Sequence, residues 1–156
     1  MLDIKIRPYI SSDYNYICAI HDAARKTELS LSSLDRAFLP FSLASERENF
    51  FEYPHIDVAT VNDIIAAFSA YTDEELAWLY VSPDMMRKGI GRKLVTRALE
   101  IEPGIKHIEV LYGNEPARKL YESMGFYVQK TEEGVMPGNE AYRVKVYVMC
   151  RTPKNL

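Results

Sequence analysis

The 156-residue chain predicts an α/β fold, a mixed sheet of about seven strands with helices on both faces. Three observations carry that prediction. Alternating apolar runs recur along the chain, runs with apolar residues three and four apart separate them, and Pro, Gly or Asn-Asp punctuates the junctions.

Taken in order, Leu2 to Arg7 alternates and stops at Pro8, a first strand. Ser11 or Ser12 can cap the helix that follows, whose apolar stripe is Tyr14, Ile17, Cys18, His21 and Ala24. His21 on such a stripe reads first as a hydrogen-bonded core residue and second as a ligand. Leu31 to Tyr53 reads as helix in two pieces broken at Pro40; its Phe38, Phe41, Phe50, Phe51 and Tyr53 fit either a core or a pocket wall. Ile56 to Val61 and Ile64 to Tyr71 form a hairpin about Asn62-Asp63. After a turn at Thr72-Asp73-Glu74, Leu76 to Val81 is the next strand. Beyond Pro83 a basic, glycine-bearing loop opens a helix running to about Glu102, with Ile90, Leu94, Val95, Ala98, Leu99 and Ile101 on its apolar face; Pro103-Gly104 stops it. Ile105 to Leu111 is a strand. Asn114 to Met124 is a helix with Ala117, Leu120, Tyr121 and Met124 on one face, closed by Gly125 before a strand from Phe126. Val135 to Asn139 reads as a Pro/Gly loop, and Tyr142, Val144, Val146 and Val148 alternate in a last strand. No linker or repeat interrupts the series, which predicts one domain over 1–156.

Composition narrows the function. With 47% hydrophobic and 26% charged residues the chain is globular rather than disordered. Its longest uncharged apolar stretch, Ile64 to Tyr71, is far short of a membrane span, and the N-terminus lacks a signal-peptide core. The expected setting is therefore cytoplasmic, with no membrane partner. Cys18 and Cys150 lie at opposite ends and read as packed thiols. His21, His55 and His107 share no ligand spacing with them, so no metal is expected. No G-x-S-x-G elbow occurs.

A net charge of −3 argues against a nucleic-acid binder. The charge is polarised, however. Between residues 85 and 120 eight Lys/Arg face four Glu, while between 28 and 63 two Arg face seven acids. Two solvated faces, or an anion site beside a cation site, both fit.

The stretch Arg87-Lys88-Gly89-Ile90-Gly91-Arg92-Lys93-Leu94 gathers four cations round two glycines. A P-loop fails because Arg92 follows Gly91 and no glycine lies five positions before it. The dinucleotide fingerprint fails because its sixth position is Leu94 and the approach from Val81 is too long. The physics of an anion site remains: free N–H groups and partial positive charge at a helix start, with glycines that let an oxygen-rich ligand approach the main chain.

Two segments carry a resemblance. Leu79-Tyr80-Val81-x-Pro83, then Gly89-Ile90-Gly91-x-x-Leu94, is similar to the acetyl-coenzyme A loop of the GNAT superfamily of N-acetyltransferases. Asn114-Glu115-Pro116-Ala117-Arg118-Lys119-Leu120-Tyr121-Glu122-Ser123-Met124-Gly125-Phe126 resembles its second cofactor segment, N-x-x-A-x-x-L-Y-x-x-x-G-F. The resemblance covers Glu75 to Val128 well and the first half only in element order. It departs at Met86, where the family pattern has Gln or Arg.

The resemblance implies a GNAT-like fold with a splayed central strand pair, and acetyl transfer to the primary amine of a small molecule or peptide by direct attack in a ternary complex. Under it, acetyl-coenzyme A lies with its pyrophosphate on the amides of Met86, Arg87, Lys88, Gly89, Ile90, Gly91 and Arg92. Leu79, Tyr80 and Val81 meet its arm through the backbone, and Asn114, Ala117 and Arg118 hold the inner part. Residues 1–72 become the acceptor half, 73–130 the cofactor segments, and 131–156 a C-terminal loop and strand. Tyr121, which spacing alone would assign to the core, becomes the proton donor to the leaving sulfur. Glu75, on the same strand face as Ala77 and Leu79, becomes the general base, with a surface-turn carboxylate as its ordinary alternative. Glu46, Glu48, Phe50, Phe51, Glu52 and Tyr53 offer an acidic, aromatic dock for a cationic amine. A non-catalytic acyl-coenzyme A-binding domain is the rival reading. The last strand, as a sheet edge, would suit a homodimer.

Overall fold

The computed structural model describes residues 2–153; residue 1 and residues 154–156, the ends of the predicted domain, lie outside them. The elements are β1 (Ile4–Pro8), α1 (Tyr14–Leu31), α2 (Phe41–Arg47), β2 (His55–Val61), β3 (Ile64–Tyr71), β4 (Leu76–Val81), α3 (Ile90–Ile101), β5 (His107–Leu111), α4 (Glu115–Ser123), β6 (Tyr127–Met136) and β7 (Asn139–Cys150).

Antiparallel pairing joins β1-β2-β3-β4 into one sheet and β5-β7-β6 into another. The two meet at a single parallel bridge, Glu75 to His107. There the Lys106 and His107 N–H groups donate to the Glu74 carbonyl at 2.9 and 3.2 Å. No ladder follows, so β4 and β5 splay as expected. The mixed sheet is thus two antiparallel sheets with one parallel contact.

Local chemistry explains the joints. Asn62 and Asp63 take φ of 50° and 68°, the left-handed pair that a two-residue hairpin needs and that Asn and Asp tolerate. Thr72 Oγ1 accepts from the Glu74 and Glu75 N–H groups at 3.2 and 3.1 Å, fixing the turn into β4. At Gly113, φ is 102° and an added Cβ would lie 2.7 Å from the Leu31 carbonyl oxygen. The end of α1 therefore rests directly on the β5–α4 junction.

Helices cover both faces of the larger sheet. α1 and α2 bury Ile17, Ile20 and Phe41 with Phe50, Val58, Phe68 and Trp78 on one side. α3 buries Ile90 and Leu94 against Ala59, Val61 and Ala67 on the other. Its Val95 and Ala98 join Tyr121 of α4 and Ile108, Val110 and Met149 of the second sheet. Phe41 and Phe50 are core, meeting edge to face at 5.0 Å. His21 is buried too, bonded to Asp22 at 2.9 Å and packed on Phe41 and Tyr80.

Three expectations are corrected. Leu31 to Tyr53 is not helix in two pieces: after α1 ends at Leu31 only Phe41–Arg47 is α-helical, with short 3-10 turns at Asp35–Ala37 and Phe50–Glu52. Ser33 at φ 56° ends the first run, and Pro40 starts rather than breaks the second, its carbonyl accepting from Leu43 and Ala44. Val135 to Asn139 is not a loop, since β6 and β7 continue until only Pro137-Gly138 remains between them. Pro followed by Gly at φ 75° matches a type II turn. Finally, β7 is the central strand of its sheet and not an edge. The edges are β5, which faces β4, and β6, whose exposed Lys130, Glu132 and Glu133 guard it against further pairing.

Candidate active site

The splay leaves a cleft of about 860 Å³ between β4 and β5. α1 closes one side, the starts of α3 and α4 another, and the Pro137-Gly138 turn the far end. Of the residues singled out from sequence, Glu75, Leu79, Tyr80, Val81, Met86, Arg87, Gly91, Asn114, Ala117 and Tyr121 line it; Lys88, Gly89, Ile90, Arg92 and Arg118 do not.

The two helix starts differ physically. In α3 the N–H groups of Ile90, Gly91 and Arg92 find no acceptor among the described residues; the first helical bond runs from the Lys93 N–H to the Gly89 carbonyl. In α4 the donors are used up. The Glu115 N–H bonds to Gly113, residue 116 is proline, and the Ala117 N–H bonds to the Asn114 Oδ1 at 3.3 Å. Arg118 N–H continues the helix to the Asn114 carbonyl. Of these two starts, only that of α3 has free donors for an anion among the described residues.

Charge follows the same division. Arg87, Lys88, Arg92 and Lys93 form no ion pair among the described residues, and Arg92 donates only to Ser123 Oγ at 2.6 Å. Arg118, by contrast, is held by Glu115 and Glu122 and lies over the Tyr147 ring. Ile90 is 1% exposed and belongs to the core. Arg87 takes φ of 62°, a left-handed conformation costing a non-glycine about 1–2 kcal/mol. A Cβ on Gly91 would meet Leu120 and Val81 at 3.6 Å, ordinary contact, so the fold itself does not demand glycine there.

Tyr121 is 6% exposed, faces the cleft, and its hydroxyl has no hydrogen-bond partner among the described residues. Burial, then the Glu28 charge, pushes its phenol well above the usual tyrosine value. Burial also raises Glu75, with His107 opposing and Glu109 adding to the shift. Of the predicted acceptor dock, only Glu48 and Tyr53 reach the cleft; Glu46 and Glu52 face solvent, Phe50 is core and Phe51 is half exposed. Glu48 is pushed up to about 7, chiefly by burial and partly by Glu140, against the pull of Arg25.

One group escaped the sequence reading. Glu28 on α1 pairs with Arg25 at 2.5 Å, accepts from the Tyr80 hydroxyl at 3.1 Å, and accepts from Asn114 Nδ2 at 3.3 Å. The signal was available: continuing the stripe past His21 and Ala24 at helical spacing reaches Arg25 and Glu28, an ion pair on a buried face. No cluster of three or more His, Cys, Asp or Glu able to hold a metal occurs among the described residues. Cys18 and Cys150 are free thiols, and no described helix is long and apolar enough to cross a membrane.

The family described as acetyltransferase (GNAT) domain matches residues 47–128. The peptidyl-lysine N-acetyltransferase YjaB of Salmonella typhimurium is 34% identical over 82 residues, 53% of this chain and 56% of its own, so the chain matches little more than half of that relative. Two solved structures share the fold. The ribosomal-protein-S18-alanine N-acetyltransferase of Escherichia coli has a TM-score of 0.71 at 23% identity, covering 99% of both chains. The structure of yncA from Salmonella typhimurium with its cofactor acetyl-CoA has a TM-score of 0.70 at 20% identity, covering 98% of this chain and 95% of that one.

Proposed function

The chain belongs to the GNAT acetyltransferase family, and we propose that it transfers an acetyl group from acetyl-coenzyme A to a primary amine of a small molecule or peptide, by direct attack within a ternary complex. One observation carries this reading: Gly91, from a helix start whose donors are free among the described residues, the cation Arg87, a buried tyrosine and a raised glutamate all border the gap between β4 and β5.

The amides of Ile90, Gly91 and Arg92, with Arg87 and Lys88, hold the diphosphate. Met86 contributes backbone, and its missing polar side chain is made good by Arg87. The outer edge of β4, unpaired past Glu75, offers the main chain of Leu79, Tyr80 and Val81 to an amide-rich arm. Small residues at 91 and 117 leave room for that arm. Bound acetyl-coenzyme A supplies the thioester, hence both the acyl group and a leaving thiolate.

Protons are this chain's task. An amine of pKa near 10.4 costs roughly 4–5 kcal/mol to present neutral at pH 7. Glu75, raised by burial, is the base that accepts the ammonium proton. Tyr121 has its phenol raised above the usual 10 while a thiol lies near 8.5, so full proton transfer to sulfur is uphill by more than about 2 kcal/mol. Tyr121 therefore stabilises the leaving sulfur as a hydrogen-bond donor. Glu48 and Glu75 favour a cationic over an anionic acceptor. We read residues 1–156 as one such domain acting in the cytoplasm.

Calorimetry with coenzyme A and thiol release from acetyl-coenzyme A across amine acceptors, a lysine peptide included, test this. Binding with turnover on at least one amine is expected. Binding without turnover on any would favour the non-catalytic reading, and no binding would overturn both.

A further inference from the structure

We propose, resting on the acyl-transfer reading of this cleft, that Glu28 is a positioning residue: it orients Asn114, and through Asn114 the helix that carries Tyr121. Glu28 Oε2 accepts from Asn114 Nδ2 at 3.3 Å, and the other end of the same carboxamide, Oδ1, accepts the Ala117 N–H. An amide side chain has one acceptor end and one donor end, so holding the donor end fixes which way the acceptor end points. Ala117 lies one helical turn before Tyr121, on the same face. The orientation of α4, and with it the direction of the phenol, therefore traces back to α1.

The construction around Glu28 fits this role better than that of a general base. Its Oε1 is already occupied by Arg25 at 2.5 Å and by the Tyr80 hydroxyl at 3.1 Å. A carboxylate so engaged is poorly placed to collect a proton, and well placed to stay put. Tyr80 belongs to β4 and Asn114 to the start of α4, so one side chain from the acceptor half contacts both cofactor segments. The Leu31 carbonyl against Gly113 brings α1 and the β5–α4 junction together by a second, purely steric contact. Removing the carboxylate should therefore loosen the cap without separating the elements.

Hydrogen exchange of the Ala117 amide, followed by NMR in the free protein, reads this link without any ligand. Glu28→Ala and Glu28→Asp, the latter keeping the charge but losing reach, should each speed that exchange roughly five- to tenfold. Glu28→Gln keeps the reach but has a single acceptor oxygen for donors on two sides, Arg25 and Tyr80 on one and Asn114 on the other, so it should also speed the exchange, though less than Glu28→Ala does. Adding Asn114→Ala to Glu28→Ala should change it no further than Asn114→Ala does alone. In turnover assays Glu28→Asp should lower kcat about tenfold with the amine KM within about threefold, as expected when the donor to sulfur is misaimed. Unchanged Ala117 exchange in both the Ala and the Asp variants would overturn the proposal, as would independent, additive effects of positions 28 and 114. If Glu28→Ala does not fold, Glu28→Asp decides. Should wild-type protein neither bind coenzyme A nor turn over, the acyl-transfer reading fails, while the exchange result still decides whether Glu28 sets the cap.

Discussion

Tyr121 shows how one environment can serve two purposes. Its ring helps fill the core beside Phe126, 6.1 Å away, while its hydroxyl faces the cleft without a partner among the described residues. Tyr121→Phe should keep the packing and coenzyme A affinity, and lower kcat by about 10²- to 10⁴-fold; near wild-type turnover in steady-state assays would remove the hydroxyl from the mechanism. Glu75 has the opposite requirement, since a base works only when ionised. Its pKa is raised, so kcat/KM should fall on the acid side through an apparent pKa above the ordinary carboxylate range, and Glu75→Gln should abolish that limb of the profile. Glu48 supplies a stability test. Folding raises it from 4.5 to about 7, so the folded state binds its proton more tightly. That contribution is full below pH 4.5 and is lost as pH rises through 7. Glu48→Gln should accordingly raise Tm by roughly 3–6 °C at pH 8 and leave it unchanged at pH 4, as read by thermal denaturation.

At the scale of an element, α3 separates what folding wants from what binding wants. Alanine at position 91 would meet only ordinary contacts and would favour the helix by up to about 1 kcal/mol. The same Cβ would stand between an incoming diphosphate and the free amides. Gly91→Ala should thus leave stability equal or higher while weakening coenzyme A by about tenfold, and Gly91→Glu, which adds negative charge, should abolish binding by calorimetry. A glycine retained for the fold would give the reverse pattern, as at Gly113. There φ is 102° and a Cβ would meet the Leu31 carbonyl oxygen at 2.7 Å, so Gly113→Ala should cost about 2 kcal/mol or more, seen as a lower denaturation midpoint at unchanged m-value.

For the whole molecule, the relevant fact is that two sheets share one backbone bridge. On the proposed reading, a ligand lying between β4 and β5 would replace the missing ladder and bind only the folded state. Coenzyme A at about a hundred times its Kd should therefore stabilise by about 2.7 kcal/mol, a rise of roughly 5–10 °C in Tm. Because Arg87 and Lys88 are exposed and unpaired among the described residues, this shift should shrink as ionic strength rises, and shrink less in an Arg87→Ala, Lys88→Ala variant.

Read alone, the residue order determined the strands and helices from β2 through α4, the hairpin at Asn62-Asp63, and the family. Each of these depends on periodicity, turn chemistry or motif spacing acting over a few neighbouring residues. Only the tertiary structure decided that α4 spends its donors on its own cap, that Arg118 is neutralised by two glutamates, that β7 lies inside its sheet, and that Glu28 ties α1 to β4 and to the start of α4. Those outcomes join residues such as Glu28 with Tyr80 and Asn114, 52 and 86 positions apart. Which partner a buried charge or an unpaired amide finds at such separations depends on how the sheets pack, and no local pattern records it.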